Sequence, residues 1–320
     1  MMIKRGLIYL AWLGVVPCSL WSLLRWTALA TTPQGMVLLV FDAWVYASLL
    51  PIALLAVSLR RNYLLGVLGL NMLVVLGLYG GRWLPQSANS TPQDLRIMTW
   101  NVFYNTQDIA GLAATIRQQQ PDIVVLQEYN FQLDPQLPEA LEDLYPYAAL
   151  DPHSGAGGLA TLSRWPLREL APVARGVDSC GCQYLEIATP NGPTRLINTH
   201  PHIPLASFKG IYTKTQQDPT FDHLLKLIAD QSQPLILAGD LNTTERQPNY
   251  LRLRQQLGDA YQQQGWGLGY TFPSNGAIPK AVRLDYIMPN AHWQPLRAWN
   301  GTANLSDHGF VVADLQRLAE

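Results

Sequence analysis

The chain has 320 residues, room for one large domain or two ordinary ones, and its 22 basic and 23 acidic residues leave a formal net charge of −1. Such a balance lacks the basic excess of a tight, sequence-indifferent nucleic-acid binder, and three cysteines are too few for a disulfide framework. The near-zero net charge is an average over two unlike parts.

Residues 1–84 carry six basic residues (Lys4, Arg5, Arg25, Arg60, Arg61 and Arg82) and one acid, Asp42, in otherwise apolar sequence. Stretches 6–24, 36–59 and 63–83 each approach the ~20 residues that cross ~30 Å of hydrocarbon as a helix. Three transmembrane helices are therefore expected in a membrane region 1–84 embedded in the lipid bilayer. Pro17 and Pro51 fall inside two of these stretches, where membrane helices tolerate them. Asp42 starts the second near the expected interface, and Trp12, Trp21, Trp26, Trp44 and Trp83 include several near expected helix ends. Ala28-Leu29-Ala30 would serve as a signal cleavage site, but two further apolar stretches follow it. Lys4 and Arg5 before the first span, with Arg60 and Arg61 between the second and third, orient the chain with those groups inside. A multi-pass integral membrane protein results, with everything after residue 85 on the extracytoplasmic side. That compartment would allow Cys180 and Cys182 to bridge; two free thiols are the alternative.

Residues 85–94 form a polar, turn-rich linker to a second domain at 95–320. There, β-rich runs at 96–102, 122–129, 159–165, 184–189, 194–200, 235–241, 284–288 and 310–315 alternate with helical patterns at 109–119, 138–144, 220–230 and 248–257. The alternation predicts an α/β sheet core covered by helices. Polar residues sit at the limits of the apolar runs. Asn101, Glu128, His200 and Asp240 end four of them, Asn242 follows Asp240 by two residues, Asp285 precedes Tyr286-Ile287, and Asp307-His308 precedes Gly309-Phe310-Val311-Val312. Head groups at the ends of buried strands are held rigidly and reach the rim. Each has an ordinary explanation as a cap or turn residue, but six repetitions point to one site.

The elements Trp100-Asn101-Val102, Gln127-Glu128, Asn198-Thr199-His200, Gly239-Asp240-Leu241-Asn242, Arg283-Leu284-Asp285-Tyr286-Ile287 and Ser306-Asp307-His308 resemble, in order, those of the endonuclease/exonuclease/phosphatase superfamily. The small-residue strand 157–164 resembles it too, and the membrane region lies outside the resemblance. The resemblance implies a four-layered α/β sandwich of the DNase I-like type that hydrolyses phosphoesters with Mg²⁺, Mn²⁺ being a possible substitute. Glu128 is then the principal metal ligand, with Asn101 beside it and Asp307 completing or supporting the site. Asp240 or His308 would activate water, and Asp285 would orient His308. Asn242 and His200 would contact substrate phosphate oxygens, or, for His200, protonate the leaving group. One departure is Phe103, where some nucleases of the superfamily carry a second acid.

Removing the six basic residues of 1–84 and the two acids Asp42 and Asp94 from the totals leaves 16 basic against 21 acidic residues in 95–320, a net of −5. A lipid head group or small phosphodiester fits that balance at least as well as nucleic acid. The competing class is a non-catalytic membrane-anchored binding module that keeps the fold. No nucleophile elbow or Walker loop occurs, and no feature marks a protein partner. Substrate choice is expected to lie in loops 131–137, 201–217 and 263–280.

Overall fold

The computed structural model describes residues 2–84, 92–173, 181–202, 206–207, 210–211, 217–274, 276 and 279–318. They form two compact units, described in turn.

The N-terminal unit contains α1 (Met2–Leu24), α2 (Pro33–Val40), α3 (Asp42–Ala47), α4 (Leu49–Ser58) and α5 (Asn62–Tyr79). Two helices, Lys4–Leu24 and Asn62–Trp83, are long and apolar enough to cross a membrane, with only 28% and 17% of their apolar windows buried. The expected middle span is not one helix. A turn at Phe41 ends α2, and within the shorter apolar run Asp42–Ser58 the bonding is interrupted at Ser48, because Pro51 has no N–H to give the Ala47 carbonyl. Asp42 opens α3 and is buried among the helices. It is 2% exposed, accepts from Arg25 Nη1 at 2.6 and 2.7 Å and from Trp21 Nε1 at 2.8 Å, and binds the Tyr79 hydroxyl. An acid among apolar helices must be paired to be tolerated. Ala11, Val15, Cys18, Leu49, Ala56, Leu64 and Leu68 pack inside, while Leu13, Leu23, Leu54 and Leu73 point outward. Most exposed large apolar side chains among the described residues belong to this unit.

The second unit contains β1 (Leu95–Asn101), α6 (Ile109–Gln119), β2 (Ile123–Gln127), α7 (Gln136–Ala140), β3 (Tyr147–Asp151), β4 (Leu159–Ser163), β5 (Leu167–Ala171), β6 (Cys182–Thr189) and β7 (Gly192–Thr199). The short ribbon of β8 (Ala206–Ser207) with β9 (Gly210–Ile211) groups with the first unit, and the second resumes with α8 (Gln217–Leu227), β10 (Leu235–Asp240), α9 (Pro248–Leu253), α10 (Ala260–Gln264), β11 (Asp285–Pro289), β12 (Trp293–Gly301) and β13 (Phe310–Arg317). Two sheets result, ordered β12-β13-β1-β2-β4-β3 and β11-β10-β7-β6-β5. Each has one parallel pair, β1–β2 and β7–β10, among antiparallel neighbours.

The near-continuous apolar runs follow from burial on both faces. Leu95, Ile97, Ile123, Val125, Leu196, Ile236, Ala238, Ile287 and Val311 fill the space between the sheets. Met98, Trp100, Val124 and Leu126 pack under α6 and α7, and Ile197, Leu235, Leu237 and Met288 pack under α8 and α9. Helix, sheet, sheet and helix make the four layers expected. A polar seam crosses the interior: Gln127 Nε2 donates to Asn198 Oδ1 at 2.9 Å, Asn198 Nδ2 to Gln183 Oε1 at 3.1 Å, and Thr161 Oγ1 to the same oxygen at 2.7 Å. Bonded in this way, buried amides fix the register of facing sheets instead of costing stability. Cys182 is disulfide-bonded and Cys18 is free, while Cys180 and linker residues 85–91 lie outside the described residues.

Candidate active site

Strand direction explains why the polar residues gather. Asn101 closes β1, Glu128 follows β2, His200 follows β7 and Asp240 closes β10, so these strands deliver their C-terminal ends. β13 and β11 run antiparallel to β1 and β10 and therefore begin at that same edge, where His308 precedes β13 and Asp285 opens β11.

Asp285 stands directly opposite Asp240 in the β10–β11 register, a pairing of like charges that is unfavourable alone. The His308 ring relieves it. Its Nδ1 is 2.9 Å from Asp285 Oδ2 and its Nε2 is 3.6 Å from Asp240 Oδ2. All three are buried, at 6%, 0% and 1% exposure. The segment carrying His308 is tied down as well: Ser306 Oγ donates to the Asn101 carbonyl at 2.7 Å, His308 N donates to Ser306 Oγ at 3.0 Å, and Trp100 Nε1 donates to the His308 carbonyl at 3.1 Å.

Asn101 links the acids of the two sheets. Its Nδ2 donates at 3.0 Å both to Glu128 Oε1 and to Asp240 Oδ2, while its Oδ1 accepts from Phe103 N at 3.0 Å. Glu128 Oε2 accepts from Tyr104 N at 2.9 Å. Glu128, Phe103 and Asn242 hold left-handed φ values of 59°, 64° and 48°. Each such residue costs ~1–3 kcal/mol and persists only where its surroundings compel it. Gly239, φ 150°, lets β10 approach β7 so closely that a Cβ there would lie 2.0 Å from the Thr199 carbonyl oxygen.

His200 Nδ1 lies 3.0 Å from the Ala156 carbonyl, which can only accept, so Nδ1 carries a hydrogen. Its Nε2 faces Asn242 Nδ2 at 3.0 Å, Asp240 Oδ2 at 3.4 Å and Glu128 Oε1 at 4.0 Å. Asn242 is set by its own N–H to Asp240 Oδ1 at 2.9 Å and by Nδ2 to the Pro201 carbonyl at 2.9 Å.

Burial alone would neutralise these groups, but their mutual charges prevail for three of them. Burial disfavours the charged His308 ring, yet Asp285 and Asp240 outweigh it and raise its pKa to about 10. Asp240 is driven down to about 2 despite its burial, by His308, His200 and the Asn242 N–H. His200 is raised, burial being overcome mainly by Asp240. Asp285 moves the other way: burial lifts it above the ordinary carboxylate range against the pull of His308.

The structure thus brings seven of the eight expected residues into one bonded cluster. Asp307 stands apart: half-buried, with its carboxylate 3.5 Å from Ser306 Oγ and its carbonyl accepting from Ser274 N at 2.6 Å. Asn101, expected beside the metal, gives its oxygen to the Phe103 amide and its nitrogen to the two acids. Asp240, Asp285 and His308 offer donor atoms within 4.8 Å of one another. His308 Nδ1 is committed to Asp285, and Glu128 also offers a carboxylate that could hold a hard cation. Its oxygens each accept a single hydrogen bond from protein N–H groups, leaving lone pairs for such an ion. Ser306 was visible only as part of the Ser306-Asp307-His308 element, without a role, and the Tyr104 N–H and Ala156 carbonyl are main-chain groups with no signature in the sequence.

The sequence profile of the Endonuclease/Exonuclease/phosphatase family matches residues 98–308, and the chain belongs to that family, whose members are hydrolases acting on phosphoester bonds. No curated protein matches the chain. Among solved structures, the endonuclease/exonuclease/phosphatase from Beutenbergia cavernae is 25% identical, with a TM-score of 0.53 over 71% of this chain and 72% of that one. A 3′ phosphatase from Neisseria, solved with product DNA hairpin, is 18% identical with a TM-score of 0.53 over 69% and 99% of the two chains. A mannosyl-6-phosphatase from Bacteroides thetaiotaomicron is 17% identical with a TM-score of 0.52 over 69% and 99%. The last two likenesses show a common fold.

Proposed function

We propose that this protein is a membrane-anchored, Mg²⁺-dependent hydrolase of phosphoesters, chiefly phosphodiesters. The observation that carries the reading is the His308 ring set between Asp285 and Asp240, with Asn101 joining Asp240 to Glu128. Glu128 would hold the divalent ion, with Asp307 as the supporting acid. The bound ion would neutralise charge on the phosphoryl oxygens and orient the substrate.

The remaining work belongs to the chain's own groups. Asp240, ionised and buried, accepts a hydrogen bond from the attacking water and takes its proton as the P–O bond forms. Asp285 holds the His308 ring in place and favours its charged form, and the imidazolium stabilises negative charge developing on the phosphoryl group. Asn242 steadies the same oxygens, and His200, anchored by the Ala156 carbonyl, gives the leaving oxygen its proton. Asn101 acts by positioning, keeping Glu128 and Asp240 at a fixed separation.

Two apolar helices with mostly unburied surfaces support the anchor. The disulfide at Cys182 supports an extracytoplasmic catalytic unit, as do the basic pairs Lys4-Arg5 and Arg60-Arg61. The test uses the full chain in detergent with Mg²⁺ or EDTA. Its panel holds bis-p-nitrophenyl phosphate, plasmid DNA, RNA, sphingomyelin, phosphoinositides, a 3′-phosphorylated oligonucleotide and a sugar phosphate, the last two because relatives of the same fold act on such monoesters. Turnover that requires the metal and disappears in His308→Ala supports the reading. A folded chain with neither turnover nor metal binding would favour the non-catalytic binding module. Release of the chain from membranes by alkaline carbonate would sink the anchor, and a reporter fused at the C-terminus decides the side.

A further inference from the structure

The cluster is rich in negative charge. Glu128, Asp240 and Asp285 surround the place where an anionic phosphoryl group must arrive, and the imidazole rings are paired with two of those acids. A further cation at the rim would offset that charge as the phosphoester approaches. Arg283, on the segment that leads into β11, cannot serve: its Nη1 and Nη2 donate to Asp259 at 3.0 and 2.6 Å and its Nε to Glu245 at 2.7 Å.

Lys280 is different. It lies in loop 263–280, one of the three segments where specificity is expected. Its ammonium group stands against the residue that follows His308: a Cβ built on Gly309 would lie 3.0 Å from Lys280 Nζ. Gly309 is fixed there by its N–H to the Thr271 carbonyl at 2.8 Å, and the neighbouring Phe272 ring packs on His308 at a centroid distance of 4.8 Å. Any side chain at position 309 would crowd the space the ammonium occupies. Among the described residues Lys280 makes no ion pair and no hydrogen bond, although it is half-buried and in the field of Asp285. A half-buried ammonium without a partner, next to the His308–Asp285 pair, is a charge in want of an anion.

We propose that Lys280 is the cationic contact for the substrate's phosphoryl group, gripping a non-bridging oxygen from the His308 side of the site. The inference rests on the phosphoester hydrolase reading above. A compact, mobile ammonium suits this duty, because it meets a phosphate oxygen as a point charge and does not impose the fork geometry of arginine.

The test compares the full chain with Lys280→Gln and Lys280→Arg, using bis-p-nitrophenyl phosphate as substrate and inorganic phosphate as competitive inhibitor. Lys280→Gln should lower kcat/KM and raise the phosphate inhibition constant, each by roughly 10- to 100-fold, as loss of one hydrogen bond to a charged group implies. Lys280→Arg should recover most of both. Matching thermal unfolding midpoints show that the variants fold. Phosphate binding is also followed by calorimetry without substrate, which separates failure of this proposal from failure of the hydrolase reading. Equal phosphate affinity in wild type and Lys280→Gln overturns the proposal whether or not the wild type turns over. So does a Lys280→Gln variant that loses kcat while its phosphate inhibition constant stays put, since Lys280 would then only be balancing Asp285.

Discussion

Asp285→Asn tests the centre of the site. Asp285 is wholly buried and holds His308 Nδ1 at 2.9 Å. Asparagine fits the space, but it must turn either its amide nitrogen to the ring, setting two N–H groups against each other, or its oxygen, which carries no full charge. The ring loses a charge-assisted bond worth ~1.5–3 kcal/mol in either case, a rate factor of roughly 10–100 if that bond is made in the transition state. Misplacement of the ring adds to this, and the total expected loss in kcat is ~10²–10⁴-fold, typical for a lost acid–base group. The pH dependence should change with it. Asp285 and Asp240 keep His308 charged up to about pH 10, so the ring's contribution to stability is complete below its unfolded pKa and is lost as pH rises through about 10. With Asp285 neutral, the alkaline fall in rate should move to lower pH. The assay is a pH–rate profile on bis-p-nitrophenyl phosphate at saturating Mg²⁺, alongside thermal unfolding of both proteins. An Asp285→Asn protein within threefold of wild type, with its alkaline limb unmoved, would refute the assignment.

Glu128→Gln should raise the Mg²⁺ concentration for half-maximal activity at least ~10-fold with little change in the unfolding midpoint in EDTA, and an unchanged metal titration would remove Glu128 as ligand. Arg283→Met strands the buried Asp259 and should cost ~3–5 kcal/mol in urea unfolding at neutral pH. Burial opposes the Asp259 charge but Arg283 overcomes it and depresses its pKa. Its contribution is therefore complete above the unfolded Asp pKa of ~3.9 and fades as pH falls, so the gap between wild type and Asp259→Asn should shrink at pH 3; a gap of constant size would contradict this. Gly239→Ala should destabilise by about 3 kcal/mol, since the added Cβ meets the Thr199 carbonyl at 2.0 Å; unfolding midpoints within a degree of each other would count against the close approach.

The central strands were legible because both their faces are buried. Runs such as Ile97-Met98-Thr99-Trp100 and Leu235-Ile236-Leu237-Ala238 leave no doubt about their class, and a polar residue at the end of each is conspicuous. Helix α6 was legible at both limits, with Asp108 capping the Gly111 N–H and the pattern ending at Gln119. Edge strands were not. β3 and β5 are largely exposed, so they lack the apolar signal, and β12 contains Pro295 and a bulge between Pro295 and Arg297. The middle apolar stretch read as a single span because composition registers hydrophobicity but not the turns at Phe41 and Ser48.

By itself the sequence determined a two-part chain, an α/β second domain and the identities of the residues that meet in the site. Burial imposes apolar runs on the strands and polar residues at their ends, and both are visible in one dimension. Only the tertiary structure decided which atoms face which. That Asp240 and Asp285 stand opposite with His308 between them follows from a β10–β11 register that no local pattern encodes. That Asn101 bonds the two acids through its nitrogen follows from the Phe103 amide occupying its oxygen. The direction of the His308, Asp240 and His200 shifts comes from distances between strands far apart in the chain. Charges act through space, and only the packed sheets bring these within a few ångströms of one another.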